Sequence, residues 1–255
     1  MTVAKHTPEI LRGWKRTGRK IAALTAYDYP MARMLDESGV PLLLVGDSLG
    51  MVVLGYPDTT HVTMAHMEHH VAAVARAKTR ALVAADLPYR AYETPEQAVA
   101  NARRLVAAGA EAVKAEGGVE ILPQVRAIVQ SGIPFLGHLG MLPQHVLEEG
   151  GYRIKGRDAS QRLALLEGAR ALESAGAFGI VLELVTPPVA AELSAGLGIP
   201  TIGIGSGPDC DGQILVTPDL VGMFPWFTPR FVRRRLEGAA LTTGVVREWI
   251  AEIGG

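Results

Sequence analysis

The sequence predicts a closed (β/α)8 barrel of the α/β class, and three observations support this fold class. Short apolar runs alternate with alanine-rich segments whose apolar residues recur at the helical period. The runs are continuously apolar, which is typical of parallel strands covered by helices on the outside. Eight such units in 255 residues match the usual size of a β/α barrel. An open, doubly wound parallel sheet is the alternative.

The apolar runs set the predicted strands, each bounded by polar or glycine-containing segments. The predicted strands are Ile21–Tyr27, Leu42–Asp47, Ala81–Asp86, Ala112–Glu116, Phe135–Leu139, Gly179–Leu184, Thr201–Ile204 and Gln213–Thr217.

The segments between the runs carry helix signals. The predicted helices are Met64–Lys78, Pro95–Ala108, Val119–Gln130, Ala159–Ala175 and Pro188–Leu197. Thr94 can cap the second of these, with Pro95 in its first turn. Gly109, Gly132 and Gly176 each follow a helix and precede a strand, as C-terminal glycines do.

Composition and charge favour one globular domain, residues 1–255, with a helix before the barrel and another after it. Apolar residues make up 48% and charged residues 20%, and a net charge of −1 gives no reason to expect nucleic acid or an anionic membrane as partner. The single cysteine, Cys210, excludes an internal disulfide and fits a reducing cytoplasm. No apolar run approaches the roughly 20 residues of a membrane span.

Both ends of the chain are expected to be helical. The basic segment Arg12–Lys20 is interpreted as a solvated surface helix that ends at "KRTG". The C-terminal "VVREWIAEIGG" has an amphipathic pattern, and we expect it to pack on a neighbouring subunit.

Charged and polar side chains stand at the carboxyl ends of five consecutive predicted strands. They are Asp47, Asp86, Lys114 with Glu116, His138, and Glu183. In a β/α barrel these strand ends surround one pocket. One buried acid could be a simple ion-pair partner, but several unpaired charges give a packed core no stability.

A hard divalent cation would account for these carboxylates, because Mg²⁺ prefers oxygen ligands and leaves positions open for substrate. Zinc is disfavoured by the lone cysteine and the lack of a histidine pair at the strand ends. His66 and His69 are interpreted as a helix surface, "GIGSG" as a tight barrel loop, and Cys210 as a bystander.

Longer motifs occur in order along nearly the whole chain. They run from "KIAALTAYD" to "DGQILV", with "VGDSLGMVVLGY", "ADLPYRAYETPEQA", "VKAEGG", "GHLGMLPQ", "GGYRIKGR" and "IVLELV" between them. In these motifs the chain resembles the ketopantoate (3-methyl-2-oxobutanoate) hydroxymethyltransferase family. The resemblance implies a barrel of the phosphoenolpyruvate/pyruvate type, a cytoplasmic homodecamer, and Mg²⁺.

The resemblance also implies a reaction and the residues that carry it. A one-carbon unit passes from 5,10-methylenetetrahydrofolate to 3-methyl-2-oxobutanoate, giving ketopantoate for pantothenate and coenzyme A synthesis. Asp47, Asp86 and Glu116 are implied as the metal site, with Glu116 acting through water, and Glu183 as the proton acceptor. The implied substrate-binding residues are Asp47, Ser48, Asp86, Lys114 and His138.

The chain departs from the family pattern at His61, Tyr89, Arg90, Lys155 and Pro218, which puts the rim of the pocket and the folate contacts in question. Two other functions are weighed. A metal-dependent lyase of the isocitrate-lyase type would resemble its relatives in having a catalytic cysteine near the middle strands. A non-catalytic ligand-binding barrel would have little reason to keep the whole set of charged strand ends.

Overall fold

The computed structural model describes residues 4–254, and its centre is a closed barrel of eight strands paired in chain order. Every strand pair within it is parallel. The strands are β1 Ile21–Thr25, β2 Leu42–Val45, β3 Leu82–Asp86, β4 Ala112–Lys114, β5 Phe135–Gly140, β6 Gly179–Glu183, β7 Thr201–Ile204 and β8 Gly212–Leu215. The predicted barrel is confirmed, and the doubly wound alternative is wrong.

Helices connect the strands. They are α1 Pro8–Thr17, α2 Tyr29–Glu37, α3 Leu49–Val52, α4 Met64–Ala75, α5 Pro95–Ala108, α6 Leu122–Gln130, α7 Ala159–Ser174, α8 Pro187–Gly196, α9 Thr217–Leu220 and α10 Gly238–Gly254. Short 3-10 turns lie at Thr59–His61, Val119–Ile121 and Pro143–His145. The Thr94 side chain accepts a hydrogen bond from Gln97 N, and Gly109 closes α5 in the left-handed region, both as predicted.

Some predicted strands are shorter than expected at the carboxyl end. β2 ends at Val45 rather than Asp47, and β4 ends at Lys114 rather than Glu116. At both places the chain turns out of the strand ladder, because Gly46–Gly50 forms successive turns and Gly117 has a positive φ of 132°. These turns let the polar residues after the strand face the pocket instead of continuing the sheet.

Two apolar clusters lie on the two sides of the barrel wall. Leu42 and Leu44 of β2 belong to the cluster inside the barrel, whereas Leu43 and Val45 belong to the cluster between strands and helices. This alternation follows the period of two along a strand. It explains why the strands read as continuously apolar in the sequence.

The N-terminal segment corrects one prediction. Helix α1 ends at Thr17, with Gly18 as a left-handed cap, so the predicted end at "KRTG" is confirmed. However, α1 is not a purely solvated helix. Leu11 is fully buried and belongs to the cluster inside the barrel, and Trp14 packs against that cluster. Even the basic Lys15, four residues after Leu11, is only 13% exposed and pairs with Asp211.

The chain divides into two compact units, one ending at Ile214 and the other beginning at Leu215. The first contains the helices α1–α8 and the barrel strands, and the second contains α9 and α10. Helix α10 includes the predicted C-terminal helix up to Gly254, and several of its apolar side chains are exposed: Leu241, Val245, Trp249, Ile250 and Ile253. No helix within residues 4–254 is long and apolar enough to cross a membrane.

Candidate active site

The polar side chains at the strand ends form the top layer of the barrel interior. In β3, Leu82 and Ala84 point into the barrel, and Asp86 continues the same phase two residues later. The inward residue Ala112 in β4 is likewise followed at the same spacing by Lys114 and then Glu116. A single period of two therefore places apolar residues low in the barrel and ionisable residues at its carboxyl end.

The same phase applies to the next two strands. His138 follows the inward Leu136 in β5, and Glu183 follows the inward Val181 in β6. All the strand-end residues predicted from the sequence are thus on one face of the barrel. Asp47 reaches this face differently, from the turn that follows β2.

Asp47 and Asp86 are adjacent and buried. The Asp47 backbone N donates a hydrogen bond to Asp86 Oδ2 at 3.0 Å. The next residue, Ser48, lies with its Oγ 2.9 Å from the hydroxyl of Tyr27. A β-carbon at Gly46 would lie 2.9 Å from Ser48 Oγ, so a larger residue there would displace the Ser48 hydroxyl from its present position.

Lys114, His138, Glu116 and Glu183 form a connected group beside the two aspartates. Lys114 Nζ lies 3.0 Å from Asp86 Oδ1 and 3.1 Å from His138 Nδ1. The imidazole then lies between two carboxylates, with Nδ1 3.4 Å from Glu116 Oε1 and Nε2 3.3 Å from Glu183 Oε2. Because an ammonium group only donates, Nδ1 must accept from Lys114, which leaves the proton of the neutral ring on Nε2, facing Glu183.

Burial shifts the ionisation of this group. Desolvation, followed by the charges of Asp86 and Glu116, holds the pKa of Asp47 well above its usual range. Desolvation also raises the pKa of Glu116 to about 7, against the opposing effect of Lys114.

The two basic groups respond in opposite directions. Burial, and then the cation of Lys114, lower the pKa of His138, so the ring is neutral at pH 7. For Lys114 itself, burial lowers the pKa, but the charges of Asp86, Glu116 and Asp47 outweigh it, so the pKa stands above its usual value. The site therefore combines the ammonium of Lys114, which stays charged, with the neutral imidazole of His138. It also buries more carboxylate groups than this one ammonium can neutralise.

Glu183 is the most accessible carboxylate of this group. Its side chain retains 15% exposure, whereas those of Asp86 and Glu116 retain 3% and 1%. The backbone around it is tightly constrained, since Leu184 has a positive φ of 48° and Glu183 O accepts a hydrogen bond from Met141 N at 2.8 Å. Glu183 can therefore meet a small molecule in the pocket while its backbone stays fixed.

The donor set fits a hard cation held by two carboxylates. Within residues 4–254, no three His, Cys, Asp or Glu side chains converge in a geometry ready to hold a metal ion. Asp47 and Asp86 are nevertheless paired through the Asp47 backbone, and Asp86 Oδ1 has no regular hydrogen bond beyond its ion pair with Lys114. Mg²⁺ commonly takes one or two protein carboxylates and keeps several waters. Direct ligation by Asp47 and Asp86, with Glu116 acting through water, stays a prediction.

Sequence reasoning missed Gln144 and Tyr92, which are buried beside the acids. Gln144 lies in the 3-10 turn after β5, and its Nε2 donates to Asp47 Oδ2 at 2.7 Å. The hydroxyl of Tyr92 donates to Gln144 Oε1 at 2.7 Å. Neither residue lies on a strand, so the periodicity that located the acids gave no signal for them. Their one signal in the sequence is that they lie within motifs of the family, Gln144 in "GHLGMLPQ" and Tyr92 in "ADLPYRAYETPEQA".

The comparisons with known proteins agree with this geometry. The sequence profile of the family described as ketopantoate hydroxymethyltransferase matches residues 5–255. The chain belongs to this family. It is 50% identical over 246 residues to the 3-methyl-2-oxobutanoate hydroxymethyltransferase of Ignicoccus hospitalis, covering 96% of this chain and 93% of that one. It is 52% identical over 236 residues to the enzyme of the same name from Pyrobaculum calidifontis, covering 92% and 89%.

Solved structures share the fold at low sequence identity. A putative phosphonomutase from Burkholderia cenocepacia gives a TM-score of 0.69 at 19% identity, covering 94% of this chain and 99% of that one. A phosphonopyruvate hydrolase in complex with oxalate and Mg²⁺ gives 0.65 at 14% identity, covering 97% and 87%. Another neighbour, 2,3-dimethylmalate lyase, is described as a member of the PEP mutase/isocitrate lyase superfamily. These likenesses agree with the β/α barrel fold of this chain.

Membership in the hydroxymethyltransferase family speaks against the lyase alternative, and so does the only cysteine. Cys210 is 1% exposed, and burial raises the pKa of its thiol, which makes it a poor nucleophile.

The departures from the family pattern in the first compact unit lie around the rim rather than in the acid cluster. His61, Tyr89 and Arg90 line a cavity of about 360 Å³. Lys155 lines another of about 420 Å³ and pairs with Glu149.

Proposed function

We propose that this protein transfers a hydroxymethyl group from 5,10-methylenetetrahydrofolate to 3-methyl-2-oxobutanoate, giving 2-dehydropantoate (ketopantoate) for pantothenate and coenzyme A synthesis. The names of its relatives support this reaction. The observation that carries it is the buried group of Asp47, Asp86, Lys114 and Glu116, with the more accessible Glu183 on β6 joined to it through His138 of β5. Enolising a 2-oxo acid needs a positive field at the oxo group and a base at the adjacent carbon, and this arrangement offers both.

The oxo acid is proposed to bind with its oxo and carboxylate oxygens toward the aspartate pair. Mg²⁺ held there by Asp47 and Asp86, with Glu116 behind, would act as a Lewis acid toward the oxo group. Lys114 adds fixed positive charge on the same side, so negative charge that develops on the oxo oxygen is stabilised. The Ser48 hydroxyl, next to Asp47, is proposed to donate to the substrate carboxylate.

Glu183 is proposed to accept the proton from C3 of the oxo acid, the carbon next to the oxo group. The electron pair left by this C–H bond then forms the new bond to the one-carbon unit of the folate. Both C–N bonds of the methylene bridge break, and water supplies the hydroxyl oxygen. The two protons of that water end on the folate nitrogens, so tetrahydrofolate leaves, and the proton taken from C3 ends on the new hydroxyl. His138 Nε2 lies 3.3 Å from Glu183 Oε2 and makes no regular hydrogen bond, so its proton is proposed to hold the carboxylate through this looser contact. His138 is proposed to line the pocket beside Glu183.

Hydrogen exchange at C3 tests the base. Glu183→Gln should still bind 3-methyl-2-oxobutanoate, because the binding residues remain. It should exchange the C3 hydrogen with deuterium from solvent about 10²–10⁴ times more slowly, which is the usual contribution of a general base. Proton NMR in D2O measures the exchange without the folate. The control is Glu149→Gln, which removes a carboxylate from the rim pair with Lys155 and should leave exchange unchanged.

Undiminished exchange in Glu183→Gln would remove this residue from the base role.

A companion variant, Asp47→Ala, tests the metal site separately. It should lose the Mg²⁺-supported binding of the oxo acid in a calorimetric titration, and unchanged binding would show that the metal assignment is wrong.

We also propose that residues 1–255 act as one barrel domain with its flanking helices, in the cytoplasm, as a homodecamer. The support is the family resemblance together with the exposed apolar side chains of α10, which include Leu241 and Trp249. Light scattering on the full chain and on a chain shortened before Gly238 measures the oligomer. An unchanged mass in the shortened chain would count against packing through α10.

A further inference from the structure

We propose that Gln144 is a positioning residue that holds the Asp47 and Glu116 carboxylates in register for a divalent cation. This inference rests on the metal site of the proposed function and deepens it. Nothing in the reaction itself calls for an amide side chain at this place.

Gln144 contacts both acids directly. It is 2% exposed, and its Nε2 donates to Asp47 Oδ2 at 2.7 Å. Its backbone N donates to Glu116 Oε2 at 3.0 Å. One residue thus joins a carboxylate from the turn after β2 to a carboxylate from the turn after β4. Both acids lie beyond the last paired residue of their strands, and the only β-bridge nearby among the described residues joins Gly117 to His138, so a direct contact that fixes both carboxylates adds order to the site.

The amide itself is held in one orientation. Its second N–H donates to Leu87 O at 3.0 Å, and its Oε1 accepts from the Tyr92 hydroxyl at 2.7 Å. The amide oxygen therefore meets a donor and the amide nitrogen meets two acceptors. A flipped amide would place Oε1 against the carboxylate of Asp47. Tyr92 is in turn fixed by Glu116, whose backbone N donates to its hydroxyl at 3.3 Å.

Gln144 contacts one oxygen of each acid and leaves the other oxygen to other partners. Gln144 engages Asp47 Oδ2 and Glu116 Oε2 only. Glu116 Oε1 faces His138, and Asp47 has no second hydrogen bond from Gln144. Residues that orient metal-binding carboxylates in this way typically contribute 10- to 100-fold to metal affinity. Gln144 would therefore set cation affinity without touching the oxo acid.

Mn²⁺ binding tests the inference independently of turnover. Mn²⁺ is the probe, because free Mn²⁺ is quantified directly by electron paramagnetic resonance. Gln144→Met keeps the length of the side chain and removes its donors and acceptor, so it should raise the Kd for Mn²⁺ about 10- to 100-fold. Tyr92→Phe removes only the hydroxyl that orients the amide and should give a smaller increase in the same direction.

The control variant loses a buried hydroxyl away from the site. Ser194→Ala removes the hydrogen bonds of Ser194 Oγ to Ala190 O and to Thr201 Oγ1, at the start of β7. It should lower the melting temperature and leave the Kd for Mn²⁺ unchanged. A purely structural role for Gln144 would give the same pattern as this control.

The outcomes separate the two proposals. If the wild-type protein does not bind Mn²⁺, the metal site and this inference both fail. If it binds, and both Gln144→Met and Tyr92→Phe bind with the wild-type Kd, the inference alone is wrong. If Gln144→Met does not fold, Tyr92→Phe decides. The positioning role is supported if Gln144→Met raises the Kd for Mn²⁺ and lowers kcat, and if its KM for the oxo acid returns to the wild-type value at saturating Mn²⁺.

Discussion

Replacing Lys114 by Met should strongly destabilise the metal-free protein at alkaline pH. Lys114 and Asp86 form a buried ion pair, with 4% and 3% of their side chains exposed. Met fills nearly the same volume but leaves Asp86, Asp47 and Glu116 without their only buried ammonium. Removing one partner of a buried pair costs about 3–5 kcal/mol, because the other charge remains desolvated. For a chain of this size that loss lowers the melting temperature by roughly 10 °C.

The loss of stability caused by Lys114→Met should become smaller as the pH falls. The Glu116 carboxyl has a pKa of about 7 in the folded protein, and that of Asp47 is also raised. An acid with a raised pKa takes up its proton in the folded state first, and the loss of the Lys114 cation raises both pKa values further. At pH 8 the variant must either bury the carboxylate charges or take up protons at a cost in free energy, whereas at pH 5 Glu116 is already protonated and that cost is smaller.

Differential scanning calorimetry in EDTA at pH 8 and pH 5 measures both effects. The control is Lys155→Met, because the Lys155–Glu149 pair retains 25% and 21% side-chain exposure and such pairs contribute about 1 kcal/mol or less. The reasoning is refuted if Lys114→Met melts at the wild-type temperature at pH 8. It is also refuted if the loss is the same at both pH values.

Two further predictions concern stability. Gly140 has a φ of 101°, and a β-carbon there would lie 2.1 Å from Glu183 O, so Gly140→Ala should cost about 2 kcal/mol or more in urea unfolding. Gly39→Ala, at a φ of 85° in open space, is its control and should cost only about 1 kcal/mol; equal losses would contradict the steric argument. Burial raises the pKa of Asp219 to about 6, against the effect of Arg234. The charged form is therefore disfavoured, and Asp219→Asn should stabilise the protein at pH 8 by on the order of 2 kcal/mol but not at pH 4. An equal gain at both pH values would exclude titration of Asp219 as the cause.

Periodicity was sufficient to locate most of the site. Asp86, Lys114, His138 and Glu183 each continue the inward phase of a strand, so the same alternation that predicts the barrel predicts where they meet. The family resemblance added roles to these positions. The positions of Glu183 and its neighbours at the strand ends could therefore be predicted from the sequence alone.

The remainder depends on turns and on distant contacts that no local pattern encodes. Gln144 lies in a turn that follows Gly140. It is hydrogen-bonded to Asp47, which is 97 residues away in the sequence, and to Tyr92, which is 52 residues away. Leu11 was missed for a different reason. The basic residues of α1 indicated a surface helix, whereas one apolar side chain enters the base of the barrel.

The order of the strands along the chain has a consequence for how the protein folds. The charged residues arise from β2 to β6, but the barrel closes only when β8, Gly212–Leu215, joins the sheet. Until that step, an incomplete barrel leaves the strand ends that carry Asp47, Asp86, Lys114 and Glu116 open to water. We therefore expect part of the desolvation cost of these groups to fall on closure of the barrel. Proton or cation uptake at that moment would favour closure, so the groups proposed for chemistry also govern the final step of folding.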